Sequence, residues 1–163
     1  MQFDKTISGR VVTPLKVIDN GCIGIKSGKI AKVDKIKNFS LSINHSDFGN
    51  SFIFPGIIDG QTHSGSYLGF KGIESTSRSA ICGGITTIVD MPYDNPFPIT
   101  NIDLLREKIK AIKEFAICDI ALYGTVLPGE GISKVGRMID SGIVAIKVSS
   151  IESHRIDLDL RES

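Results

Sequence analysis

Between residue 52 and residue 148, short runs of β-branched and other apolar residues alternate with helical patterns. Apolar runs occupy residues 52–59, 85–90, 119–124 and 143–148. Helices are predicted between them, at about residues 73–82, after Thr100 through at least Glu114, and at about residues 132–139. Strands that alternate with helices are typical of a parallel sheet, because each helix returns the chain to the start of the next strand. The pattern therefore predicts an α/β fold, with strands apolar on both faces and buried on both sides.

The predicted helix after residue 100 has the clearest pattern. Thr100 is a candidate N-cap with Asp103 three residues later, as in an acidic capping arrangement. The apolar residues recur at steps of three and four and share one face. The charged residues are expected to cover the solvent side: Lys108, Lys110, Lys113 and Glu114.

The first 52 residues have a different pattern, with brief β-prone runs separated by turn signals. Asn20-Gly21 and Ser27-Gly28 predict hairpin turns, because both pairs adopt positive φ at low cost. These residues are expected to form a small antiparallel sheet. The predicted domains are accordingly residues 1–52 and residues 53–163.

Charge and cysteine content limit the possible partners and compartment. The net charge is +1 without any basic cluster, which argues against nucleic acid and anionic membranes as partners. No apolar run approaches the roughly 20 residues of a membrane helix. The three cysteines are far apart and predict reduced, mostly buried thiols in a cytoplasmic protein.

Two side chains at strand ends suggest chemistry. His63 follows the first apolar run, and Lys147 lies within the fourth, so parallel strands would bring both to one edge of the sheet. Imidazole is a common metal ligand, although a lone histidine is more often a hydrogen-bonded loop residue. A buried lysine must be paired or neutral, and a neutral amine is free for covalent chemistry. Alternatively, Lys147 reaches solvent or pairs with Asp59 or Asp90. His45 and His154 are predicted to be ordinary surface histidines.

Chain length leaves two architectures open at this point. A (β/α)₈ barrel needs roughly 250 residues. About 110 residues follow the β-rich start. The second region is therefore either a smaller α/β sheet or half of a barrel.

Three segments in series carry the motifs FPGIIDGQTH at 54–63, GGITTIVDMP at 83–92 and GIVAIK at 142–147. The first resembles the first-strand motif of the amidohydrolase superfamily, usually P-G-x-I-D-x-H-x-H. The second resembles the second-strand motif of its cyclic amidohydrolase branch, and the third resembles the segment with the metal-bridging lysine of that branch. The branch contains dihydroorotases, allantoinases and dihydropyrimidinases (hydantoinases).

The resemblance implies the N-terminal half of a metal-dependent (β/α)₈ barrel, preceded by part of a small β-sandwich. It implies one or two divalent cations, usually zinc, with His63 as a ligand and Lys147 carboxylated to bridge the metals. Asp94 and Asn95 would lie on the substrate-facing loop. A metal-activated hydroxide would attack the ring carbonyl of a small cyclic amide, and the enzyme would be a homo-oligomer, a dimer or tetramer.

Two positions depart from the family pattern. Gln61 stands where the family has its first ligand histidine, and an amide oxygen is a weaker zinc ligand than imidazole. Dihydroorotases place a substrate-gripping arginine just after the second histidine, whereas this chain has Ser64-Gly65. The second departure favours allantoin, hydantoin or dihydropyrimidine substrates.

The remaining ligands of the family have no counterpart before Ser163. The chain alone is accordingly expected to be an incomplete, inactive and marginally stable fragment. Gln61 leaves an alternative open, because related neuronal scaffolding proteins have lost the metal ligands and assemble as tetramers without catalysis.

Overall fold

The computed structural model describes residues 2–126 and 133–148, and the chain divides into two units, Met1–Pro55 and Gly56–Ser163. Within the described residues, no helix has the length and apolar character needed to cross a membrane. His154 lies outside the described residues.

The first unit contains one sheet of four strands. They are β1 (Lys5–Val12), β2 (Val17–Lys26), β3 (Lys29–Lys35) and β4 (His45–Ile53), with the spatial order β3-β2-β1-β4. Neighbours are antiparallel except for β1 and β4, which run parallel. The expected purely antiparallel sheet is therefore wrong, because the long connection after β3 lets β4 enter in the same direction as β1.

Two turn predictions for this sheet had different outcomes. Ser27 and Gly28 both have positive φ and form the β2–β3 hairpin turn, as predicted. Asn20-Gly21 instead lies inside β2, where the pairing with β1 is irregular between Gly9 and Val11. Asn20 still has a positive φ of 50°, so the signal marked an irregular strand rather than a turn.

His45 is held inside the first unit rather than exposed. Its side chain is half-buried, with Nδ1 2.9 Å from Thr6 Oγ1 and Nε2 3.2 Å from Ser8 Oγ. The prediction of an ordinary surface histidine is wrong because β4 pairs with β1, which brings both hydroxyls to the ring. The cysteines also differ from one another, since Cys22 is buried and Cys82 is exposed.

The second unit is built on a parallel sheet of four strands, as the alternating pattern predicts. They are β5 (Ile57–Thr62), β6 (Ile85–Asp90), β7 (Asp119–Gly124) and β8 (Ala145–Ile146), in that spatial order. The helices between them are α1 (Gly72–Cys82), α2 (Ile102–Phe115) and α3 (Val135–Asp140). The buried cluster on the sheet consists of Ile99, Leu105, Leu122, Met138 and Ile143.

The predicted strand over residues 52–59 has the wrong bounds. Phe52 and Ile53 belong to β4 of the first unit, and β5 begins only at Ile57. In the described residues β5 pairs with β6 alone, and Ile57 and Ile58 are 54% and 66% exposed. The prediction that this strand is buried on both faces is therefore wrong for β5 within the described residues, despite its apolar composition.

The N-cap of α2 is Asn101, one residue after the predicted Thr100. Its side-chain oxygen accepts hydrogen bonds from the backbone N–H groups of Asp103 (3.0 Å) and Leu104 (3.1 Å). Thr100 is instead buried.

Replacing Asn101 by alanine is expected to lower the free energy of unfolding by about 1 kcal/mol, because two helix N–H groups lose their acceptor. Urea denaturation measures the change, and Asn101→Asp, which keeps the acceptor, is the matched control. Equal stability of the alanine variant and the wild type would contradict the assignment.

Candidate active site

The ends of the parallel strands meet at one edge of the sheet. Thr62 pairs with Asp90, and Tyr123 and Gly124 pair with Ala145 and Ile146. The residues that follow each strand therefore share this carboxyl edge, which is the edge that carries function in parallel α/β proteins.

The loops after β5 and β6 are joined residue by residue at this edge. Both loops begin at paired strand ends, so their polar groups face each other. The hydrogen bonds that make the connection include Met91 N to Thr62 O (2.7 Å), Ser64 N to Asp90 Oδ1 (2.8 Å), Asn95 N to Gly65 O (3.0 Å) and Ser66 Oγ to Tyr93 O (2.8 Å).

His63 lies between these links, and its ring is oriented by Ser66. Nδ1 of His63 is 3.1 Å from Ser66 Oγ, and that hydroxyl donates its single proton to Tyr93 O. Ser66 must therefore accept from His63, which places the proton on Nδ1. Within the described residues, Nε2 makes no hydrogen bond. A histidine with Nδ1–H donated to a fixed partner and Nε2 open has the arrangement of a metal ligand.

Lys147 follows β8 at the same edge. Its backbone N–H donates to Gly124 O (2.9 Å), and its carbonyl accepts from the Tyr93 hydroxyl (3.4 Å). Tyr93 thus contacts both Ser66, beside His63, and Lys147. The Lys147 side chain is half-buried and makes no ion pair with the described residues. The alternative in which Lys147 pairs with Asp90 is wrong, because Asp90 is bound to a different lysine.

Gln61 is exposed in β5, two positions before His63. Its backbone N–H donates to Asp59 Oδ1 at 2.9 Å. This bond does not use the side-chain amide, which can therefore bind a ligand. Side chains two positions apart in an extended chain share a face. Gln61 and His63 can therefore face the same ligand.

Asp94 and Asn95 occupy different environments. The Asp94 side chain is only 2% exposed, and its Oδ2 lies 2.8 Å from Lys108 Nζ. This inward placement does not match the predicted substrate contact. Asn95 is exposed, and its Nδ2 donates to Tyr67 O at 3.4 Å. Its exposure leaves the predicted substrate contact of Asn95 possible, and that contact stays a prediction.

Lys108 is the main feature that the sequence interpretation missed. Expected on the solvent side of α2, it is 0% exposed. Its Nζ is 2.8 Å from Asp90 Oδ2, 2.8 Å from Asp94 Oδ2 and 3.2 Å from Met91 O, to which it donates a hydrogen bond. The two carboxylate contacts are ion pairs, and the contact with Met91 O is a hydrogen bond. The sequence does indicate this burial, because Lys108 is three residues after Leu105 and so lies on the apolar face of the helix.

One cation thus faces two buried carboxylates. Burial raises the pKa of Asp94 above its ordinary value; Lys108 opposes the shift, while the Asp90 charge adds to it. Oδ1 of Asp94 accepts no hydrogen bond from the described residues and lies over Gly65. Removing the Lys108 charge would therefore leave the buried carboxylates of Asp90 and Asp94 without the ammonium group that pairs with both.

The described residues provide only part of a metal site. Among them no three His, Cys, Asp or Glu side chains cluster closely enough to hold an ion. His63 fits a ligand role through Nε2, Gln61 offers an amide oxygen, and Lys147 fits only if its amine is converted into an anionic group. The donor set is compatible with a divalent cation and incomplete within residues 2–126 and 133–148.

Solved structures define the class of fold. L-hydantoinase (dihydropyrimidinase) from Arthrobacter aurescens matches with a TM-score of 0.78 and 31% identity, covering 89% of this chain and 32% of that chain. A D-hydantoinase matches with a TM-score of 0.68 at 23% identity, which supports the fold alone. The described architecture is therefore that of a corresponding portion of a hydantoinase-type amidohydrolase.

Sequence comparison identifies the family. The allantoinase of Arabidopsis thaliana is 32% identical over 149 residues, covering 86% of this chain and 29% of that protein. The L-hydantoinase of Paenarthrobacter aurescens is 34% identical over 151 residues, covering 89% of this chain and 32% of that protein. No protein-family model matches. The chain belongs to the cyclic amidohydrolases, and it spans about a third of the length of the curated relatives that it matches.

Proposed function

We propose that this chain supplies the first metal-binding part of a hydrolase that opens a cyclic amide of the allantoin, hydantoin or dihydropyrimidine type. The observation that carries the proposal is the fixed tautomer of His63 at the carboxyl edge of the sheet, with Nε2 open. Homology to proteins named allantoinase and L-hydantoinase supports the substrate class. The complete site then requires the remainder of a (β/α)₈ barrel.

Each residue at the edge has a defined task in this proposal. His63 would bind a divalent cation, proposed to be zinc, through Nε2, while Ser66 and Tyr93 hold its ring. Lys147 reacts as the neutral amine with carbon dioxide, forms a nitrogen–carbon bond and releases a proton. The resulting carbamate carries two oxygens and a negative charge, so it suits cations better than an ammonium group does. Gln61 adds a neutral oxygen.

The bound cation would supply a water of pKa about 7 and polarise the amide carbonyl. Asn95, exposed at the same edge, offers an amide that can hydrogen-bond the carbonyl and N–H groups of a cyclic amide. Ser64 and Gly65 are buried and uncharged, so they cannot grip a substrate carboxylate. This favours neutral rings over a carboxylated one.

Replacing His63 by alanine is expected to weaken zinc binding about a hundredfold or more, and Ser66→Ala about tenfold, as for the partners that orient metal ligands. Competition with a chelating dye measures both affinities, with Ser75→Ala in α1 as the control. Unchanged zinc affinity in His63→Ala, or neither metal nor turnover of hydantoin and allantoin in a full-length form that completes the barrel, would refute the proposal.

A second candidate is a non-catalytic relative that keeps the fold without the metal. Gln61 favours it, since the residue replaces a strong ligand by a weak one. Assembly as a homo-oligomer and a cytoplasmic location are part of both candidates and remain predictions from the sequence.

Restoring histidine in Gln61→His is expected to raise zinc affinity tenfold or more, about 1.4 kcal/mol. The physical reason is that imidazole replaces an amide oxygen beside His63. Gln61→Asn is the matched control, because it keeps the amide. In a full-length form, zinc binding with turnover in the wild type supports the enzyme, whereas zinc binding only in Gln61→His supports the non-catalytic candidate.

A further inference from the structure

The buried lysine of α2 contacts both ends of the segment Asp90–Asp94, where β6 ends and the following loop begins. Lys108 Nζ binds the side chain of Asp90, where β6 ends, and the side chain of Asp94, four residues later. It also donates to Met91 O between them. Three contacts from one fully buried ammonium group therefore determine the path of this loop.

The same loop holds the segment that contains His63. Asp90 accepts hydrogen bonds from both the backbone N–H and the hydroxyl of Ser64, the residue directly after His63. Asp94 Oδ1 packs so closely over Gly65 that an added Cβ would overlap it. Both carboxylates that Lys108 binds are thus in contact with the two residues that follow His63.

The ring of His63 depends on this loop in a second way. Tyr93 O, between Asp94 and the carbonyl of Met91, accepts the proton of Ser66 and thereby makes Ser66 an acceptor for His63 Nδ1–H. If the loop moved, the Ser66 hydroxyl could donate to Nδ1 of His63 instead. The ring proton would then lie on Nε2, and this nitrogen could not bind a metal.

We propose that Lys108 is a positioning residue that, through Asp90, Asp94 and the loop between them, holds His63 in the tautomer with Nε2 open. The proposal rests on the function proposed for His63, but its geometric content does not require a metal. Lys108 itself is fully buried, and its Nζ contacts the Asp90 and Asp94 carboxylates and Met91 O, so the role proposed for it is positioning and not ligand binding.

The test compares Lys108→Met with Lys110→Met, an exposed lysine on the same helix. Metal-free protein labelled with ¹⁵N at histidine is observed by long-range proton–nitrogen correlation, and His63 is assigned with His63→Asn. Wild type and Lys110→Met are expected to show Nδ1–H with an unprotonated Nε2. Lys108→Met is expected to show averaged nitrogen shifts from mixed tautomers, and a zinc dissociation constant weaker by about tenfold or more.

Two further variants decide the matter if Lys108→Met does not fold. In Asp90→Asn and in Asp94→Asn, Lys108 keeps one carboxylate partner, and the other is replaced by an uncharged amide of the same shape. At least one of these variants is expected to show averaged His63 nitrogen shifts from mixed tautomers. A single tautomer retained in folded Lys108→Met, or in both asparagine variants, overturns the proposal. A wild-type protein that shows the fixed tautomer but binds no zinc overturns the proposed function and leaves the positioning role intact.

Discussion

Methionine in place of Lys108 is expected to lower the free energy of unfolding by about 3–5 kcal/mol, the cost of breaking a buried ion pair from one side. Methionine has nearly the shape of the lysine stem, so lost packing contributes little. The cost arises because Asp90 and Asp94, both buried, lose the one lysine that pairs with them among the described residues. Urea denaturation followed by circular dichroism measures the change.

Lys110→Met is the matched control for this variant, since Lys110 is exposed in the same helix. A change within about 0.5 kcal/mol is expected there. Asp94→Asn should be much milder than Lys108→Met, because it removes the excess carboxylate and leaves a balanced pair of Lys108 and Asp90. A loss of less than 1 kcal/mol in Lys108→Met would show that the cluster does not exist as described.

Alanine at Gly65 is expected to lower the free energy of unfolding by about 1–3 kcal/mol, as overpacking does in a tight interior. The added methyl would overlap Asp94 Oδ1. A flexible side chain could move away, but Asp94 is held by Lys108 and is almost fully buried. The strain must therefore displace the loop after β5, which begins at His63, and zinc affinity should fall in parallel with stability.

Gly60→Ala is the control, because nothing lies within 4 Å of the position that its Cβ would take. Stability there is expected to stay within about 0.5 kcal/mol of the wild type. Normal stability and zinc affinity in Gly65→Ala would mean that Asp94 does not pack over this glycine.

The cluster around Lys108 also explains why the side chains of Asp90 and Asp94 are oriented differently from that of Asn95. Asp90 and Asp94 face inward and bind α2, whereas Asn95 faces outward at the edge. In the proposed function, an ionised carboxylate facing the substrate would also oppose the developing negative charge of an attacked amide. The buried position of Asp94 removes that charge from the edge.

The sequence by itself determined the direction and order of the elements around the site. Apolar runs alternating with helices require parallel strands, and parallel strands bring His63 and Lys147 to one edge whatever else the chain does. The helical period also placed Lys108 on the same face as Leu105, although its charge led to the opposite assignment.

Only the tertiary structure decided which groups meet at that edge. The proton of Ser66 is committed to Tyr93, 27 residues away, and Ser64 is bound to Asp90, 26 residues away. Such pairings depend on strand register and loop path, which local patterns do not encode. The physical reason is that periodicity fixes the face on which a side chain lies, whereas the cost of burying a charge is set by the partners that the folded chain brings to it.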